Sequence, residues 1–145
     1  MKRFLGLSLV AMMAMTVLLT TSCNKYPEGP KLTLLTAKAR ISGDWKMTGY
    51  TVNGTDYTSS MGTVLVTIEK DGTYSGTASY VVFGQTVTDN FNGSWDFNDD
   101  KTKVTFTEAG STSGEIYDIL MLKNKEMKLQ QVDNGDTYIT TYTAQ

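Results

Sequence analysis

The sequence predicts an all-β chain, an antiparallel up-and-down meander of about eight strands closed into a barrel or folded as a sandwich. Three observations carry that expectation. From Gly43 onward Thr, Val, Ile, Tyr, Phe and Trp dominate, the residue types that fit a pleated, half-buried surface. Apolar and polar residues alternate with period two, as where Val64, Val66 and Ile68 interleave with Thr63, Leu65 and Thr67. Clusters of Gly, Asn and Asp recur at short intervals, so almost every connection reads as a hairpin.

The chain opens differently. Lys2 and Arg3 precede Phe4 to Leu19, sixteen residues without a charge, and Thr20, Thr21 and Ser22 then lead into Cys23. A basic start, an apolar run and small residues before a cut are the parts of an export signal, and the run falls just short of the roughly 17 residues that span a bilayer as a helix. Residues 1–22 are therefore expected to be removed. Residues 23–31 follow as the new N-terminus and a tether, because NKYPEGPK holds two prolines, a glycine and three charges. Residues 32–145 form the barrel domain, entered through Leu32 to Ile41. That segment reads as one or two helical turns with Leu34, Leu35, Lys38 and Ala39 on one face, or as the start of a strand.

The first strand covers Asp44 to Val52, with Trp45 and Met47 on one side and Lys46 and Thr48 on the other. Asn53 to Asp56 turns the chain, Thr63 to Glu69 is the second strand, and Lys70-Asp71-Gly72 closes a hairpin onto Thr73 to Phe83. Gly84-Gln85 starts the return into Val87 to Phe91. Asn92-Gly93 reads as a turn or, in preference, as a bulge before Ser94 to Phe97, since Trp95 and Phe97 resume the alternation at once. Asn98 to Lys101 is a turn, followed by strands at Thr102 to Glu108, Ile116 to Leu122, Met127 to Val132 and Thr137 to Thr143. The expected dry face holds Trp45, Val64, Val66, Ile68, Tyr74, Trp95, Phe97, Val104, Phe106, Tyr117, Ile119, Met127, Leu129 and Tyr138.

Composition narrows function by exclusion. Thirteen Lys and Arg face fifteen Asp and Glu, and the basic residues are scattered, so no nucleic-acid footprint exists. The chain has no histidine and one cysteine. That removes Ser-His-Asp and Cys-His catalysis, His-based zinc sites and an intrachain disulfide.

Two resemblances add to this reading. Thr20-Thr21-Ser22-Cys23 resembles the lipobox of bacterial lipoproteins, with Thr20 at the position usually held by Leu. The resemblance implies cleavage before Cys23, its acylation by a diacylglycerol thioether, and attachment to membrane lipid. Ile41-Ser42-Gly43-Asp44-Trp45, Trp95-Asp96-Phe97, Asn98-Asp99-Asp100 and Lys103 to Thr107 together resemble the lipocalin-like lipoproteins common in Bacteroides and related gut bacteria. Over about Leu32 to Gln145 this implies a lipocalin-like barrel, with Gly43, Trp45, Trp95 and Phe97 as structural motif residues and Trp45 packed across the closed base. It also implies the outer membrane of a bacterial envelope, facing periplasm or exterior. The arginine that covers the motif tryptophan in lipocalins has no counterpart after Arg40, and Arg40 could stack in its place.

Candidate sites follow from residue type. Tyr50, Tyr57, Tyr80, Phe83 and Phe91 fall near strand ends or loops and could rim an opening for a small hydrophobic ligand. The alternative is a filled core that serves a partner protein of the envelope and takes no ligand. Asp96, Asn98, Asp99 and Asp100 lack the D-x-D-x-D-G spacing of a calcium loop and suit a turn. Asp44, Asp56, Asp71, Glu108, Glu115 and Asp118 fall mostly near turns or strand ends, without the aromatic density of a sugar subsite. No catalytic residue, metal site or cofactor is expected.

Overall fold

A computed structural model describes residues 25–30 and 33–145. The sixteen-residue apolar run, Cys23 and the lipobox resemblance lie outside those residues. After a short helix α1 (Ala37–Ile41), the chain runs through β1 (Gly43–Val52), the two-residue β2 (Thr55–Asp56), a 3-10 turn at Thr58–Ser60 and β3 (Thr63–Ile68). It continues through β4 (Thr73–Val82), β5 (Gln85–Phe97), β6 (Lys103–Glu108), β7 (Glu115–Leu122), β8 (Glu126–Asp133) and β9 (Asp136–Ala144). Each long strand pairs antiparallel with the next, and β1 pairs with both β3 and β9. That last pairing, from Trp45 opposite Ala144 to Val52 opposite Tyr138, closes an eight-stranded barrel. A sandwich is thereby ruled out.

Closure satisfies the ladder groups that an open sheet would leave at its edges. Register is fixed by the inward face, because a slip of one residue would turn every apolar side chain outward. Trp45 sits opposite Val66, and Ile68 opposite Tyr74. The one extra residue each in β1 between Met47 and Gly49, and in β7 between Ile119 and Met121, bends those strands around the curve.

The bulge expected at Asn92-Gly93 is absent. β5 runs unbroken for 13 residues, with Gly93 opposite Tyr74 and Asn92 opposite Ser75. Glycine is needed there for close approach: a Cβ on Gly93 would lie 2.0 Å from the Thr107 carbonyl oxygen and 2.9 Å from the Tyr74 ring. A second expectation, the helical face of Leu34, Leu35, Lys38 and Ala39, also fails. Leu34 is 98% exposed, and the buried side of α1 is Ala37, Arg40 and Ile41. Thr36 starts this helix one turn later than the leucines require, its hydroxyl accepting the Ala39 N–H at 3.1 Å.

One end of the barrel is plugged. Trp45, Ile41, Ile68, Trp95, Val104, Ile119, Leu122 and Met127 are buried together there. The Trp45 indole N–H donates to the Ile41 carbonyl at 2.8 Å, and the Trp95 indole N–H to the Glu69 carbonyl at 2.8 Å. Gly43, at φ 146°, lets the chain swing from α1 into β1.

The stretch read as a tether joins this plug. Tyr26 is only 2% exposed, and the Arg40 guanidinium lies 5.5 Å from its ring centroid. Arg40 is itself buried and donates through Nη1 to the Leu122 carbonyl. The aromatic that Arg40 covers is thus Tyr26. Glu28 fastens the stretch further: its N–H donates to the Leu120 carbonyl at 2.8 Å, and its carboxylate pairs with Lys128 at 2.5 Å. The two prolines do keep residues 25–30 out of regular structure, but an aromatic and a carboxylate tie them to β7 and β8.

Candidate functional site

Away from the plug the strands leave a cavity of about 460 Å³, which opens beside the loop at 109–114. Ile68, Met127 and Leu129 line it where it meets the core, and Val64 and Val66 line the β3 wall. Trp95 is packed into the plug rather than across the centre. The filled-core alternative therefore does not describe this barrel, which has room to enclose a small hydrophobic molecule.

An aromatic row forms a further wall. The Tyr74 ring stands 6.3 Å from Phe91 and, edge-on, 5.1 Å from Phe106, which stands 5.9 Å from Tyr117. Gly76 lies opposite Phe91 in the ladder, and the space where its Cβ would be holds the Phe91 ring, 2.4 Å away. Across the cavity Thr140 and Tyr142 project from β9.

The mouth is polar and acidic. Glu108 ends β6, Glu115 begins β7, and Ser111, Ser113 and Gly114 lie on the loop between them. The Tyr117 hydroxyl donates to the Glu115 carboxylate at 2.5 Å. Burial, then this hydrogen bond and the Glu115 charge, push the Tyr117 hydroxyl far above its usual pKa. Burial also raises Tyr74, helped by the charges of Glu108 and Glu115. Burial alone pushes Tyr142 up to about 12. All three phenols stay neutral at physiological pH. Among the described residues no Lys or Arg lines the cavity.

Of the five aromatics expected to rim an opening, Phe91 lines the cavity. Tyr50 packs 6.5 Å from Tyr138. Tyr57 is 45% exposed beside the 3-10 turn, and Phe83 is fully exposed at the tip of the β4–β5 hairpin. Tyr80, on the same hairpin, donates its hydroxyl to Asp89 at 2.7 Å. Gly43, Trp45, Trp95 and Phe97 gather at the plugged end, where Trp95 and Phe97 meet edge-on at 5.2 Å.

The cavity-lining residues that the expected dry face and rim left out are Glu108, Ser111, Ser113, Gly114, Glu115, Thr140 and Tyr142. A signal for the glutamates was present. The alternation that turns Phe106 and Tyr117 inward also turns Glu108 and Glu115 inward, two residues along.

The acidic turn after Phe97 behaves as turn chemistry. Asp100 accepts from the Thr102 hydroxyl at 2.6 Å, the Thr102 N–H at 3.1 Å and the Asn98 amide at 2.6 Å, and those contacts, Thr102's first, hold its carboxyl below the usual range. Among the described residues no three Cys, Asp or Glu side chains converge as for a metal ion.

A family model described as a lipocalin-like domain matches residues 41–129. No curated protein matches the chain. Among solved structures, the chain is similar to Japanin from Rhipicephalus appendiculatus bound to cholesterol, with a TM-score of 0.56 and 11% identity over 76% of this chain and 79% of that one. It is also similar to the odorant-binding protein from bovine nasal mucosa, with a TM-score of 0.47 and 11% identity over 79% and 77% of the two chains. The first likeness establishes a shared barrel fold.

Proposed function

The chain belongs to the lipocalin-like domain family, and we propose that it is a membrane-anchored envelope lipoprotein whose barrel binds a small apolar molecule. Proteins of this fold are characteristically binding and transport proteins without catalytic machinery, and the chain is not an enzyme. The observation that carries the ligand is the cavity of about 460 Å³ with apolar and aromatic walls, within the roughly 300–1,000 Å³ typical of small-molecule sites. The cholesterol named with Japanin is a molecule of the class such walls suit. The anchor is supported by the sequence alone: a basic start, an uncharged run and small residues before Cys23. Acylated Cys23 would hold the barrel to the outer membrane of a bacterium, with two or more chains giving stable attachment.

Titration of the purified protein with diphenylhexatriene, a neutral apolar dye, tests the ligand. Saturable binding is expected, and Val66→Trp, which fills the cavity from β3, should abolish it while the fold survives. Failure of the native protein to bind any neutral apolar probe saturably would end the carrier reading.

A partner protein is favoured by a separate feature. β4 and β5 extend beyond their neighbours, since β3 pairs only as far as Ser79 and β6 only from Gly93. The arm so formed exposes Val81 and Phe83, at 69% and 103%. If the arm docks on an envelope protein, Val81→Ser with Phe83→Ser should lose that association and leave dye binding intact; an unchanged association would exclude the arm.

A further inference from the structure

We propose that the β4–β5 arm pairs with the same arm of a second copy of this chain: the free edge of β5 over Gln85 to Asn90 adds antiparallel to itself across a two-fold axis at Val87. This rests on the reading of the arm as a docking element and names what docks on it.

The free edge follows from the parity of the ladder. Phe83 and Gly84, at φ 49° and 79°, make a two-residue hairpin turn, so Val82 and Gln85 form the first hydrogen-bonded pair. Bonded and non-bonded pairs then alternate along β5. Gln85, Val87 and Asp89 direct their N–H and C=O to β4, while Thr86, Thr88 and Asn90 direct theirs away from it. Asn92 has the same parity as those three, and its carbonyl accepts the Ala109 N–H at 2.8 Å where β6 gives way to the loop. At Thr86, Thr88 and Asn90 no described residue takes that place. Every residue from Val81 to Asn90 is exposed.

An edge of this kind invites another strand unless lysine, proline, a bulge or a covering segment guards it. None does here. β5 is unbroken for 13 residues, and from Tyr80 to Phe91 the only charge is Asp89, which accepts the Tyr80 hydroxyl at 2.7 Å.

The edge is also complementary to itself, and this favours a second copy over an unrelated strand. Centring two antiparallel copies on Val87 sets Thr86 of each opposite Thr88 of the other, which forms about four backbone hydrogen bonds and brings the two Val87 Cα atoms to about 4.5 Å. Asp89 then faces Gln85, so like charges do not oppose each other. The length fits as well. Gly84 comes level with Asn90 of the second copy, and the tip stops short of Ala109, where the edge is already taken. In such a pair the mouths turn toward each other and the plugs lie outermost, so copies held through Cys23 would meet from facing lipid surfaces.

Sedimentation velocity of the Cys23→Ser protein, which has no other cysteine, should show a dimer whose share rises with concentration. Thr88→Pro removes an edge N–H without touching the β4 ladder, and Val87→Lys opposes like charges on the axis; each should weaken association at least about tenfold. Crosslinking reads the register. In the same background Val87→Cys should form an interchain disulfide in air, whereas Gln85→Cys, about 14 Å from its copy, should not. A protein monomeric up to about 1 mM, a dimer indifferent to both edge variants, or equal crosslinking of the two cysteines overturns the proposal. If only Val81→Ser with Phe83→Ser abolishes the dimer, the arm docks through its apolar tip; the edge is then wrong and the arm reading stands. If the chain stays monomeric and Thr88→Pro instead costs it a different envelope protein, the second copy is wrong. Should Thr88→Pro not fold, Val87→Lys and the cysteine pair decide. Diphenylhexatriene binding is independent of all these changes, so the carrier reading survives or fails separately.

Discussion

Replacing Tyr26 by Ala asks whether residues 25–30 are a folded strap or a tether. Tyr26 is 2% exposed, and truncating a buried aromatic typically costs about 3–5 kcal/mol. Losing the ring face that Arg40 covers at 5.5 Å adds about 1 kcal/mol. Against this, a terminal segment can undock on its own, which limits how much of the loss reaches the global transition. The net expectation is about 3 kcal/mol. Urea unfolding followed by the fluorescence of Trp45 and Trp95 reads it directly, and with a slope of about 1.5 kcal/mol per molar the midpoint should fall by about 2 M. Tyr26→Phe is the companion. The Tyr26 hydroxyl is buried with no partner among the described residues, so its removal should be neutral or slightly stabilising. A midpoint shift under about 0.3 M for Tyr26→Ala would refute the strap and return the segment to a tether.

Gly93→Ala should cost about 3 kcal/mol, because its Cβ would strike the Thr107 carbonyl, whereas Gly84→Ala, with φ 79° but open space around it, should cost about 1 kcal/mol; equal costs in thermal unfolding would contradict the close approach. An alkaline absorbance titration should find Tyr142 ionising near pH 12. Since its folded pKa is raised above the usual 10.0, its contribution to stability is complete below pH 10 and drains away between pH 10 and about 12, so native protein that keeps full stability across that window would show Tyr142 to be solvated. Cys23→Ser should abolish acylation and release the protein from membranes while dye binding persists, and a variant still held through a lipid would refute the anchor.

The walls of the barrel were legible because their code is local. Alternation placed Trp45, Val66, Ile68, Tyr74, Trp95, Val104, Ile119, Met127 and Leu129 inward, and all of them pack in or against the core. The plug was not legible in the same way. Tyr26 and Arg40 sit in stretches without period, and what buries them is contact with β7 and β8, whose partners lie about 80 to 100 residues away in sequence. Proline and glycine around Tyr26 correctly announced irregular backbone. They do not distinguish a free segment from one pinned by a single aromatic. Phe91 shows the opposite case. Its place near the Asn92-Gly93 pair suggested a rim, yet an unbroken β5 carries its ring into the cavity over Gly76. Glu108 and Glu115 were set aside because they fall at strand ends, although the parity of Phe106 and Tyr117 already turned them inward.

The strap ties the anchor to the site. On the proposed acylation of Cys23, Tyr26 is three residues away, and three residues reach at most about 10 Å. The plug that Tyr26 completes must then sit within about 10 Å of the lipid surface. The mouth, with Glu108 and Glu115, lies at the opposite ends of β6 and β7 from Val104 and Leu122 of the plug. With Cys23 acylated as proposed, the cavity would therefore open away from the membrane. On that arrangement a ligand of the cavity would exchange with the aqueous space or with whatever faces the mouth across it, not with the membrane beneath the plug.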